Sequence, residues 1–210
     1  MRMRRKKNLI PRMEQCDSVW IRRPADYRGV WLNNRPECQL HVEIGCGKGT
    51  FTVQTAAADT DVLLIGIERI QNVLLTAMER TCDLALSNLL FLDIDAGTLP
   101  DCFDTGEVSR IYLNFSDPWP STRHEKRRLT SPTFLALYKQ VLAPGGEIHM
   151  KTDNHDLFTY SLPQFELAGF TLNEVTEHLH EKKPVGVMTD YERKFHTQGV
   201  PICRCVAKLG

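Results

Sequence analysis

From about residue 37 onward, short apolar runs alternate with stretches whose apolar residues recur at helical spacing. Leu40 to Ile44 reads as a buried strand ending in glycines, followed by a helix over Phe51 to Ala58. Val62 to Ile67 reads as a second strand, and Gln71 to Leu86 as a helix rich in Leu, Ala and Met. Leu89 to Leu92 is a short third strand, and Ser109 to Phe115 a β-branched and aromatic fourth. Pro132 stands where a helix starts, and Phe134 to Leu142 continues it at helical spacing. The turn Pro144-Gly145-Gly146 leads into a fifth strand, Glu147 to Lys151. His155 to Ala168 reads as a helix flawed by Pro163, and Phe170 to Val175 and Pro201 to Ala207 as two further strands. Strands alternating with helices predict an α/β domain, a mainly parallel doubly wound sheet with helices on both faces. Residues 1–36 lack such periodicity and read as a basic arm and lead-in segment, leaving a single domain over 37–210.

Composition changes this picture little. With 42% hydrophobic and 25% charged residues the chain sits near the globular average, which disfavours disorder. No apolar run approaches the roughly 18 to 20 residues that span a bilayer, so no membrane partner is expected. Met1 to Lys7 is charged but leads into no apolar stretch of the secretory kind, which makes the cytoplasm the expected location. The seven cysteines form no CxxC pair and no zinc-ligand spacing, so reduced thiols and no metal are expected. Cys203 and Cys205 are expected on opposite faces of the last strand.

Charge matters through its placement. The formal net charge is zero, yet Arg2, Arg4, Arg5, Lys6, Lys7 and Arg12 crowd the first dozen positions. Arg123, His124, Lys126, Arg127 and Arg128 form a second cluster, and Arg193 with Lys194 a third. Salt screens charges beyond about 10 Å, so a polyanion responds to such local patches rather than to the net value. Each cluster alone fits a solvated surface; the three together fit an RNA footprint.

The first strand runs into Glu43-Ile44-Gly45-Cys46-Gly47-Lys48-Gly49-Thr50. Glycines at 45, 47 and 49 allow a sharp turn and close approach of a ligand. A dinucleotide fingerprint wants its third glycine at position 50, where Thr50 stands. Glu43 would also repel a pyrophosphate, whereas S-adenosylmethionine carries no phosphate and is cationic at its ammonium and sulfonium. Glu68 ends the second strand about 20 residues after the glycine loop, placed to accept from both ribose hydroxyls. Asp95 follows the third strand and is placed to reach an adenine amino group. Taken alone, Asp95 reads equally well as a turn or helix-cap aspartate.

The fourth strand ends in Asn114-Phe115-Ser116-Asp117-Pro118-Trp119-Pro120, where prolines fix the backbone around an anion and a flat aromatic surface. At these residues the chain resembles bacterial tRNA (guanine-N7-)-methyltransferases, from about Glu43 to Ile202. The resemblance is carried by Glu43 to Gly49, Gly66-Ile67-Glu68, Asn114 to Pro120, Arg123-His124, Arg127-Arg128-Leu129, Lys151-Thr152-Asp153-Asn154 and Thr189-Asp190-Tyr191-Glu192-Arg193-Lys194-Phe195. It implies a Rossmann-like class I S-adenosylmethionine-dependent methyltransferase fold with a seven-stranded sheet. It further implies methylation of N7 of a variable-loop guanosine in tRNA; the sequence leaves monomer and homodimer both open. By the same resemblance Glu43, Glu68, Asp95 and Asp117 line the cofactor pocket and Asp117 is the catalytic residue; Gly45, Gly47 and Gly49 join them as cofactor-binding residues through the close approach their loop allows. Asp153, Thr189, Asp190, Tyr191 and Glu192 are implied to contact the guanosine, and Arg123 the substrate. One departure is Ser121, where similar proteins carry Lys; Arg123 or Lys126 is the candidate replacement.

Two other readings stand beside this one. The segment Asn114 to Trp119 distantly echoes the Asn-Pro-Pro-Tyr site of methyltransferases acting on exocyclic amines. A catalytically silent RNA-binding protein of the same fold is the other, against which the four acidic residues at strand ends count.

Overall fold

The computed structural model describes residues 6–181 and 185–210. Arg2, Arg4 and Arg5 of the first basic cluster lie outside the described residues. Among the described residues seven strands form one sheet: β1 (Gln39–Ile44), β2 (Val62–Ile67), β3 (Leu89–Leu92), β4 (Val108–Asn114), β5 (Leu142–Thr152), β6 (Phe170–Thr176) and β7 (Cys203–Leu209). Their order is β3-β2-β1-β4-β5-β7-β6, parallel from β3 through β5, with β7 antiparallel to both β5 and β6. Chain order reverses between β1 and β4, so the carboxyl ends of β1 to β4 open a crevice, where sheets of this kind bind ligands.

Among the described residues seven α-helices accompany the sheet: α1 (Leu9–Glu14), α2 (Thr50–Ala58), α3 (Gln71–Cys82), α4 (Leu99–Cys102), α5 (Pro132–Val141), α6 (His155–Leu167) and α7 (Asp190–Thr197). Leu40, Val42, Ile111, Leu113, Ile148 and Met150 point into a core closed by α4, α5 and α6. The other face packs on α1, α2 and α3 through Leu64, Phe91, Leu74, Leu75 and Met78. In the middle of the sheet that second face is polar: His41, Glu43, Tyr112, Asn114, His149 and Lys151 alternate with the apolar positions. This alternation puts a carboxylate inside the protein directly under the crevice.

Four local expectations differ. Residues 1–36, read as an arm and lead-in segment without periodicity, pack on the sheet and on α3 where they are described. Leu9 and Met13 of α1 are buried against α3, and Arg12 pairs with Glu79 at 2.6 Å. Val19 and Ile21 hydrogen-bond Phe91 at the edge of β3, and Trp31 stacks on Phe103 in the core. A helix of six residues is too short to declare a period, which is why the pattern missed it. α3 ends at Cys82 rather than Leu86, before Ala85 takes a left-handed conformation with φ 49°. Pro144 to Gly146, read as a turn, fall inside β5 beside a register shift. Cys203 and Cys205 share one face and both are buried, because residues two apart on a strand point the same way.

Candidate active-site cleft

A cleft of about 710 Å³ opens over the carboxyl ends of β1 to β4. Gly45, Gly47, Glu68, Asp95 and Asp117 line it together, although they come from four different strand ends. Glu68 follows β2; its Oε1 accepts from the Ile70 N–H at 2.8 Å, and the Gly47 N–H also faces it. Burial raises its carboxyl above the ordinary value, those N–H groups and Arg69 oppose the rise, and Asp117 adds to it. Asp95 accepts from the Gly97 N–H at 2.9 Å, so it caps a short helical turn and lines the cleft at once. Ile70, Val73 and Ile94 add apolar wall beside these carboxylates. The sequence reading missed all three, although Ile70 is an apolar residue left 42% exposed just after Glu68.

Two expected cofactor residues lie elsewhere. Gly49 does not border the cleft: a Cβ there would stand 2.6 Å from Cβ of Ala77, so its role is to let α2 and α3 pack closely. Glu43 is buried beneath the cleft rather than in its wall. Its carboxylate accepts from Thr52 Oγ1 at 2.6 Å and Asn114 Nδ2 at 3.0 Å, while burial pushes its pKa up to about 7. Asn114 thus turns its amide onto Glu43, whereas the exocyclic-amine reading needs it to face a substrate.

The opposite wall is built differently. After β4 the backbone bends sharply, with Phe115 at φ 53° and Trp119 at φ 42°, and the exposed Asp117 sits between them. Left-handed conformations are costly for aromatic residues and gather at functional sites. Arg128 holds this turn from behind, donating to the Pro118 and Trp119 carbonyls and lying over the Tyr160 ring at 4.2 Å. It therefore braces the loop, unlike its expected place in an RNA-facing cluster. Arg127 lies over the Trp119 ring at 4.9 Å and lines the cleft with Lys126, whereas Arg123 is exposed outside it. Of the two candidates to replace the missing Lys at Ser121, the cleft thus contains Lys126.

α7 supplies the far rim. Tyr191 lines the cleft, 63% exposed, with its ring stacked toward Phe115 at 6.5 Å. Asp190 accepts from Thr50 Oγ1 at 2.8 Å, tying α7 to the start of α2. Thr189 and Glu192 are buried and form a reciprocal capping box at the start of α7. Glu192 is turned inward onto Lys151 and His180, away from the place expected for a guanosine contact. Asp153 follows β5, half-buried and outside the cleft lining.

With this geometry in hand, likeness to known proteins is informative. Residues 37–205 match a family model described as putative methyltransferase. The tRNA (guanine-N(7)-)-methyltransferase of Listeria monocytogenes serotype 4a (strain HCC23) is 44% identical over 214 residues, covering 100% of this chain and 99% of the relative. That of Bacillus subtilis (strain 168) is 46% identical over 209 residues, covering 97% of each. Among solved structures the 16S rRNA methyltransferase KamB superposes with a TM-score of 0.66 at 16% identity, over 85% of this chain and 91% of that one. A precorrin-6y C5,15-methyltransferase from Geobacter metallireducens gives 0.58 at 12% identity, over 99% and 94%. These two share the fold alone. Glycine loop, strand-end carboxylates and full-length identity agree: the chain belongs to the family of tRNA (guanine-N(7)-)-methyltransferases.

Proposed function

We propose that this protein transfers the methyl group of S-adenosylmethionine to N7 of a guanosine in the variable loop of tRNA. The observation that carries the reading is the meeting of Glu68, Asp95 and Asp117 with Gly47 in one cleft whose far rim is aromatic. Carboxylates at the strand ends suit a cationic nucleoside without phosphate, and Ile70, Val73 and Ile94 suit the faces of its purine. A pyrophosphate in the same place would meet three anions. Glu68 is assigned the ribose hydroxyls and Asp95 the adenine amino group. Glu43 acts from below, as an anion or a neutral acid according to pH, on the end of the cleft nearest the glycine loop.

S-adenosylmethionine, when bound, supplies an electrophilic methyl on a sulfonium. Guanine N7 carries an in-plane lone pair and loses no proton on methylation, so the protein needs no strong base. Its task is to hold N7 in line, a positioning effect. Positive charge grows on the guanine ring as the bond forms, and the Asp117 carboxylate, exposed at the cleft, stabilises it. The same carboxylate is placed to accept from the base's N1 and amino donors. Tyr191 and Trp119 offer flat surfaces to a base taken out of its stack. Lys126 and Arg127 on the rim, with Arg123 outside it, grip phosphates and read the folded shape of the RNA. Arg12 contributes little to this grip, since Glu79 already pairs with it.

Asp117→Asn tests the assignment. Loss of the charge, with one acceptor turned into a donor, lowers kcat roughly 100-fold, while S-adenosylhomocysteine, which lacks the sulfonium charge, binds within about 3-fold of the parent. Full activity in this variant sinks the role given to Asp117. Retention of NADH in place of S-adenosylhomocysteine sinks the cofactor.

A further inference from the structure

α7 is seated on the sheet by a charge. Among its eight residues the one buried side chain is Glu192, at 0% exposure. Its Oε1 accepts from Lys151 Nζ at 3.0 Å and His180 Nε2 at 2.8 Å; its Oε2 accepts from Lys151 Nζ at 3.2 Å and the Thr189 N–H at 3.2 Å. The Val185 N–H donates to Nδ1 of the same histidine at 3.1 Å, which leaves the ring proton on Nε2, facing Glu192. Four contacts occupy the roughly four acceptor directions of a carboxylate, so none is left for a base. Lys151 in turn donates to the Val187 carbonyl at 3.1 Å. The donors come from the end of β5, from the segment after β6 and from the helix's own cap. The residues flanking Glu192 and its cap are the ones that reach outward: Tyr191 into the cleft and Asp190 to Thr50 beside the glycine loop.

A buried ion pair adds little net stability but has strict geometric demands, and removing one partner strands the other. An apolar stripe would let a short helix slide; this carboxylate fixes its rotation and height. We propose that Glu192, with Lys151 and His180, is a positioning residue that sets α7 over the cleft and so aims Tyr191 at the incoming base, and that it does not itself read guanine. This rests on the tRNA methyltransferase reading above.

The test compares Glu192→Gln, Lys151→Met and the double variant with the parent. It uses tRNA methylation, S-adenosylhomocysteine affinity and amide hydrogen exchange over residues 189–197. Each single substitution strands a buried group: kcat/KM for tRNA falls roughly 30-fold, exchange quickens, and S-adenosylhomocysteine affinity stays within about 3-fold. The double variant removes both charges, regains at least about 10-fold of the lost activity and slows exchange again. Should a single variant fail to bind S-adenosylhomocysteine, His180→Leu, which withdraws one donor, takes its place. A double variant as inactive as Glu192→Gln, with parent-like exchange in both, makes Glu192 a direct base contact and overturns the proposal. Parent-like activity in both single variants overturns it too. If the parent forms no 7-methylguanosine the functional reading fails, and exchange still decides the seat: unchanged rates in every variant reject it.

Discussion

The two walls of the cleft are made on opposite principles. The wall formed by the ends of β1, β2 and β3 is sheet-borne: Gly45, Gly47, Glu68 and Asp95 each follow a buried strand by one to three residues, so parallel pairing sets their positions. The wall formed by the Asp117 turn and α7 is braced by side chains. Left-handed aromatics, Arg128 against two carbonyls and the Glu192 network replace the strand ladder there. A wall fixed by backbone pairing suits a ligand common to many enzymes. A wall fixed by side chains can be reshaped without disturbing the sheet, which suits the part that selects the substrate.

Substitutions can break the comparison from either side. Glu68→Gln, on the sheet-borne wall, removes a charged acceptor worth about 2 kcal/mol. Titration with S-adenosylhomocysteine then shows roughly 30-fold weaker binding and no selective change in the KM for tRNA. Tyr191→Ala, on the other wall, raises the KM for tRNA roughly 10-fold through lost stacking and leaves cofactor affinity alone. If both affinities fell together in either variant, the walls would not be separable. Arg127→Ala produces a smaller effect, a few-fold loss of tRNA affinity, with the slope of log affinity against log salt reduced by about 1. A slope equal to the parent's would remove Arg127 from the phosphate contacts.

Glu43 gives the mildest test, read in stability. Burial raises its pKa from 4.5 to about 7. Between those values the folded chain holds a proton that the unfolded chain has released, so stability falls as pH rises through that window. Thermal unfolding of the cofactor-free protein shows the decline, and Glu43→Gln flattens it. An equally steep decline in the variant assigns it to other groups.

How far the sequence could be read follows the same division. The strand runs and the acids closing them were visible, because alternation, β-branching and glycine turns are local signals. Glu68, Asp95 and Asp117 accordingly come together as the spacing and the resemblance implied. α1 is too short to show a period, and α7 is a polar helix whose buried side chain is charged, so neither announces an apolar face. The Thr-x-x-Glu of Thr189 and Glu192 was in plain view as a capping box, yet its acid was assigned to the substrate. Arg128 looked like a phosphate ligand for the same reason. The type of a charged residue does not say whether it faces water, RNA or a backbone carbonyl; only the packing around Pro118, Trp119 and Tyr160 does.

Incubation of the protein with tritiated S-adenosylmethionine and unmodified tRNA, followed by nucleoside analysis, tests the central claim most directly. The account predicts label in 7-methylguanosine. Label in another nucleoside, or none despite cofactor binding, would contradict it.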